Sequence, residues 1–318
     1  MIRAIGFHVV YEAQMMCSIS PLSIVSCLIL AKWRLGVSKK LFEKDCEWLC
    51  EEILADGGDV VGYQSRNTPG SVIAEYAFKK LKECVTSDDN YVSPIINHSS
   101  FIQLAYNKNS IICRFSIKSV VAIALTSRMP NKCMDLNDIV DDTVFLCDWL
   151  QFEFLFCSPC QNLRESIVKV ISDWNSSIQG LITLEDENFS TGDLPGRRKL
   201  SVRDTKSQGQ LLFFSNLVRP FLQSLYILCQ FLSESSTHVV DDQGTIRKLC
   251  QYSLSGKFQI PFPPLLEAIN SDSFKNSMRI LREKRLLIQD ESNHIVKTKQ
   301  IRELMITLEE ILTIPDNE

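Results

Sequence analysis

The sequence predicts a mainly α fold with small β-hairpins, an α+β helical scaffold built from winged-helix-like helix-hairpin units. Three observations carry this. Apolar residues recur at helical spacing over long stretches, cap residues and glycines bracket those stretches, and short alternating runs follow several of them. In Ile2–Met16, residues Ile5, Val9, Val10 and Ala13 keep a helical period. Ser20 before Pro21 is an N-cap followed by proline at the first helical position, and it opens a second helix expected to reach Leu35, where Gly36 stops it. Ser38 caps a third. There Leu41, Cys46, Trp48, Leu49 and Ile53 supply apolar faces, the interspersed lysines and glutamates supply solvated ones, and Gly57 and Gly58 end the helix.

After a loop through Asn67, Pro69 and Gly70, Val72–Val85 is helical by period, and strand-like runs are expected at Tyr91–Ile95 and Phe101–Tyr106. The same order recurs at Leu163–Asn175 followed by Leu181–Leu184. It recurs again at Phe274–Lys284, followed by Leu286–Gln289, a turn at Asp290–Asn293 and a strand at His294–Lys297. The polar stretch Asp186–Gln210, with Gly192, Pro195 and Gly196, marks an exposed linker. It divides the chain into a first part, 1–185, a linker, 186–206, and a second part, 207–318, ending in helix, hairpin and helix. Thr126–Asp138 is a smaller break around Pro130.

A chain of 318 residues has room for two or three domains and a sizeable core. Its net charge of −4 gives no basic field to hold a nucleic-acid backbone, so the winged-helix-like units are expected to bind protein and not nucleic acid. An apolar content of 45% excludes a disordered chain. Twelve cysteines scatter without disulfide-scaffold spacing and no secretory leader opens the sequence, so most read as reduced, buried small hydrophobes. No uninterrupted apolar run reaches the roughly 18 residues that a membrane span needs. Ala13–Ala31 is broken by Gln14, Pro21 and four serines, and Leu211–Leu232 carries Arg219 and Pro220 in its middle. In the latter, Phe214, Leu217, Val218, Phe221, Leu225, Leu228 and Leu232 form a stripe that reads as core, with a membrane-lying face as the alternative.

Chemistry-bearing residues are sparse. His8, His98, His238 and His294 each read as a surface or structural histidine, and His238 sits in a polar turn before Asp241 and Asp242. Cys157 and Cys160 form a C-x-x-C, the spacing of a redox pair or half a zinc site, but no second half follows. Cys46 and Cys50, four apart on a helix, fit core packing. Phosphate-loop, dinucleotide and nucleophile-elbow signatures are missing. Arg197, Arg198 and Lys199 precede Ser201 in the expected linker, where a phosphate would find cations.

The run Val10–Leu54, VYEAQMMCSISPLSIVSCLILAKWRLGVSKKLFEKDCEWLCEEIL, resembles the C-terminal region of mitochondrial-type glycerol-3-phosphate acyltransferases. The order of features continues to match through Val72–Val85, Tyr91–Tyr106, Ser110–Leu125 and Phe145–Gln161 with its Pro159-Cys160-Gln161 ending. It continues through Leu181–Glu185, the helix Leu211–Leu232 around Arg219-Pro220-Phe221-Leu222, and Ser273–Leu312. In that family a His-x-x-x-x-Asp motif in a preceding acyltransferase domain supplies the general base. Here Ala13, Gln103, Gln243 and Lys299 stand five residues after the four histidines, so no catalytic, cofactor or metal residue carries over. The resemblance implies a C-terminal region that braces a catalytic domain in glycerolipid synthesis, is not catalytic alone, and begins after that domain. It implies a membrane-associated location at the mitochondrial outer membrane or endoplasmic reticulum, facing the cytosol. The ending Asp316-Asn317-Glu318 lacks a peroxisomal tripeptide and so tilts against the dihydroxyacetone-phosphate branch. A stand-alone interaction or membrane-peripheral module is the alternative function, and an enzyme using Cys157 and Cys160 a third.

Overall fold

Residues 2–129, 134–176, 180–186, 198–234, 242–254, 260–262, 265–289, 295–297 and 299–313 are described by a computed structural model. They form two units, each interleaved from several stretches of chain. The first takes Met1–Ser119, Leu155–Lys169 and Leu212–Leu217, and the second Val120–Phe154, Val170–Leu211 and Val218–Glu318. The division therefore does not follow the expected boundary near residue 186.

The first unit opens with α1 (Ile2–Met16), α2 (Pro21–Ala31), β1 (Val37–Ser38), α3 (Lys39–Ala55) and α4 (Gly70–Lys80). Ser20 caps α2 as expected, its hydroxyl accepting from the Ser23 N–H at 3.2 Å. That helix is buried almost all round, which is why its composition shows little amphipathicity. It stops at Ala31 and not at Leu35 because the next two side chains turn onto α3. Lys32 Nζ and Trp33 Nε1 donate to the two carboxylate oxygens of Asp45 at 2.8 and 2.6 Å. On α3, Phe42, Cys46, Leu49, Cys50 and Ile53 are the buried face, and Gly57, at φ +73°, follows its end.

Gly70, Ala74 and Ala77 put the smallest side chains of α4 on one buried face, which lets its backbone approach α3 closely. After it, β2 (Val85–Ser87) and β3 (Tyr91–Pro94) form an antiparallel hairpin that β1 extends, in the order β1-β3-β2 with Val37 opposite Val92. The strand expected at Phe101–Tyr106 is instead the first turns of α5 (His98–Ser127). Leu104, Ile111 and Phe115 are buried while Ile102 and Tyr106 are exposed, a 3.6-residue period that wins once the helix continues beyond six residues. Phe115 stacks edge-on against Phe214 at 5.4 Å, and Trp48 against Phe213 at 5.1 Å.

The second unit holds β4 (Met134–Asp135), α6 (Leu136–Trp149), the second half of α7 (Leu163–Ser176), β5 (Ile182–Asp186) and β6 (Arg198–Val202). Residues 198–202 fall within the stretch expected to be an exposed linker. They are the central strand of a sheet ordered β4-β6-β5, and Leu200 is fully buried between Met134 and Leu184. Alternation of apolar and polar residues over only five positions left no strong strand signal there.

Then follow α8 (Thr205–Glu234), α9 (Asp242–Leu254), a short 3-10 turn at Leu266–Ala268, α10 (Ser271–Glu283), β7 (Leu287–Gln289), β8 (Ile295–Lys297) and α11 (Gln300–Leu312). Asn270 caps α10, accepting from Asp272 N–H at 2.8 Å. β7 and β8 pair antiparallel with Ile288 opposite Val296, completing the helix-then-hairpin order expected at this end. Pro220 lies inside α8, and Ser224 Oγ spans the turn after it, donating to Pro220 O at 3.0 Å. Beside it Arg219, 5% exposed, donates Nη1 to Leu312 O at 2.8 Å and so satisfies a carbonyl at the end of α11. Burial without a carboxylate partner pulls its pKa down to about 10.

Candidate functional site

In the second unit a groove of about 480 Å³ lies between the end of α5, the outer face of α6 and α11. Its apolar surface comes from Ala124, Phe145, Leu146 and Ile311, and its polar surface includes Arg128, Asp141, Asp142 and Glu310. Arg128 is already engaged. Its Nε donates to Asp142 at 2.6 Å and its Nη1 lies 3.4 Å from Asp138, and the hydrogen bond to Asp142 raises its pKa further. Asp141, Asp142 and Glu310 are the carboxylates among its described lining residues.

In the first unit the chain of α1 meets the turn that carries the C-x-x-C. His8 Nε2 lies 2.9 Å from Cys160 Sγ, and its Nδ1 lies 3.3 Å from Ser158 Oγ. This contact joins residues 152 apart in sequence, and nothing in the local pattern around His8 or Cys160 signals it. Burial raises the Cys157 thiol pKa, whereas Cys160 is exposed. Among the described residues no three or more His, Cys, Asp and Glu side chains gather in a metal-binding group.

The other candidates separate. Cys46 and Cys50 are buried on α3, and burial drives both thiol pKa values up, that of Cys50 to about 12. Ser201 is not in a loop. It stands in β6 opposite Thr183, its hydroxyl 2.6 Å from Thr183 Oγ1, so a phosphate there would have to break a cross-strand pair. His98 begins α5, while His238, His294 and Arg197 lie outside the described residues.

Two helices are long and apolar enough to cross a membrane by length and composition, Ser99–Ser127 of α5 and all of α8. The most apolar window of α8 is 83% buried within the protein, and that of α5 67%. In the stripe expected on α8, Leu217, Leu225, Leu228 and Leu232 are all buried, which is the core reading. A charged Arg219 at mid-helix would be costly in hydrocarbon, whereas here it meets a helix terminus.

These features describe a mainly helical protein with small antiparallel sheets. Comparison with known sequences identifies the family. The model of the glycerol-3-phosphate acyltransferase C-terminal region matches residues 1–290, and the chain belongs to that family. It is 54% identical over 323 residues to the probable mitochondrial glycerol-3-phosphate acyltransferase of Caenorhabditis elegans, covering 99% of this chain and 45% of that protein. Mitochondrial glycerol-3-phosphate acyltransferase 1 of mouse and of human are 20% and 22% identical, each covered over 36% of its length. The chain thus spans less than half the length of these relatives and corresponds to their C-terminal part.

Proposed function

We propose that this chain is the bracing region of a glycerol-3-phosphate 1-O-acyltransferase, inactive by itself, and that it holds an acyltransferase domain through α1. The observation that carries the proposal is the outer face of that helix. Ile2, Ile5, Val9 and Met16 are 86, 55, 63 and 81% exposed. At about 100° per residue they fall within an arc of roughly 60°, and the half-buried His8, Tyr11, Gln14 and Met15 lie about 90–150° round the helix from its centre. A helix that turns one face inward and keeps a second aliphatic stripe in water is built to be covered. Burying each such side chain contributes about 1.5–3 kcal/mol.

The acyl acceptor and donor, glycerol 3-phosphate and acyl-CoA, belong in this reading to the acyltransferase domain. In this reading the protein is membrane-associated, at the mitochondrial outer membrane or the endoplasmic reticulum and facing the cytosol. The mitochondrial names of the relatives and two helices long and apolar enough to cross a membrane support the mitochondrial and membrane part of it.

The test is co-expression of this chain with the N-terminal part of the nematode relative. The complex is expected to co-purify and to acylate glycerol 3-phosphate, while the chain alone does not. Changing Ile5 and Val9 together to Glu is expected to reduce recovery of the complex at least about tenfold, the loss of more than 1.4 kcal/mol. Equal recovery with and without the substitutions, or acylation by the chain alone, would overturn the proposal.

A further inference from the structure

The turn at Cys157–Gln161 carries a second set of groups that the bracing role does not use. It is closed by the Gln161 N–H donating to Ser158 O at 2.9 Å. Cys157 Sγ donates to Gln161 O at 3.8 Å, which brings the first thiol to the residue beside the second. Onto this turn α1 delivers His8, with Nε2 at Cys160 Sγ and Nδ1 at Ser158 Oγ.

The two contacts accommodate a proton arrangement suited to activating the thiol. A thiol donating to Nε2 requires the ring proton on Nδ1, which then donates to the serine hydroxyl. That is a nucleophile, a base and a group that orients the base.

The remaining thiols are differently placed. Among the described cysteines, Cys17 and Cys160 are exposed, and the others are buried or half-buried. Burial pushes Cys27 and Cys229 up to about 12, which leaves them protonated and inert. Cys157, half-buried, is a poor first attacker. It is well placed to act second, on a disulfide formed at its neighbour.

We propose that Cys160, with His8 as its base and Cys157 as the resolving thiol, is a thiol–disulfide exchange site that reacts with a low-molecular-weight disulfide. In the first step the Cys160 proton passes to His8 Nε2 and Cys160 Sγ attacks the disulfide RSSR. A Cys160–SR bond forms, the RS–SR bond breaks, and the leaving thiolate takes the proton from His8 as RSH. In the second step Cys157 Sγ attacks Cys160 Sγ, and the second RSH leaves with the Cys157 proton. Two protein thiols are oxidised to one disulfide and RSSR is reduced to two RSH. His8 stands about 60–120° round α1 from Ile5, Met16, Val9 and Ile2, so the site uses none of the stripe residues and does not rest on the proposed bracing role.

The full chain treated with oxidised glutathione, quenched by acid and mapped by peptide mass spectrometry, tests this. The expected product is a Cys157–Cys160 disulfide, and Cys157→Ser is expected to stop at a glutathione adduct on Cys160. In the wild type Cys160 is expected to react about tenfold or more faster than Cys17, which has the exposure without the imidazole. His8→Asn is expected to remove that advantage and leave the Cys17 rate unchanged, and Ser158→Ala to reduce it in part. Equal rates at Cys17 and Cys160, a rate untouched in a folded His8→Asn protein, or an adduct that Cys157 never resolves would each overturn the assignment. Should His8→Asn fail to fold, the wild-type rate ratio and Ser158→Ala decide it.

Discussion

Replacing Gly70 by Ala adds one methyl group where α4 packs against the backbone of α3. A Cβ at this position would stand 2.0 Å from Glu43 O and 2.9 Å from Glu47 N, both backbone atoms of α3. Ordinary contact begins at 3.4 Å, so α4 would have to retreat by about 1.4 Å. Neither obstructing atom can rotate away, because both belong to the hydrogen-bonded core of a helix. Retreat would also loosen Ile73, Ala74 and Ala77, which are buried on the same side of α4. The cost should lie at the upper end of the range for overpacking, about 3 kcal/mol. Gly209→Ala in α8 is the control, since a Cβ there meets nothing within 4 Å and should stabilise by about 0.5–1 kcal/mol. Urea unfolding followed by tryptophan fluorescence measures both, with Trp33 and Trp48 reporting on the first unit. A Gly70→Ala protein within 1 kcal/mol of wild type would refute the close-packing argument.

Two further substitutions test buried polar groups. Asp45→Ala removes the acceptor of Lys32 Nζ and Trp33 Nε1 in a site 8% exposed, and should cost about 2–4 kcal/mol in the same urea experiment, with Asp45→Asn costing less. Burial raises the Glu153 carboxyl pKa although Asn276 Nδ2 donates to it at 3.1 Å. Since the folded pKa lies above the unfolded value, the native state binds the proton more tightly, and stability is lost as pH rises through the folded pKa. Glu153→Gln should therefore be more stable than wild type near pH 7, and the difference should close on acidification to about pH 4.

Much of the fold was legible in the sequence where local chemistry and burial agree. The helices α1, α2, α3, α7, α8 and α10 follow from apolar period and caps, and Ser20-Pro21 marks the start of α2 to the residue. The family was legible too, in the run Val10–Leu54 and the order of features after it. Misreadings occurred where a short window is ambiguous. Phe101–Tyr106 alternates well enough for a strand until the burial of Ile111 and Phe115 shows one continuous helix. Arg198–Val202 looks like linker because its pairing partners, Met134–Asp135 and Ile182–Asp186, come from elsewhere in the chain.

The sequence by itself determined the mainly helical class, the missing His-x-x-x-x-Asp motif and the family, because each depends on residue type at fixed spacing. Only the tertiary structure decided which way the helices face. It turned the α8 stripe inward, left Ile2, Ile5, Val9 and Met16 of α1 in water, and carried His8 across 152 residues to Cys160. The physical reason is that periodicity specifies a face, whereas what the face meets is set by contacts between segments far apart in the chain, which no local window contains.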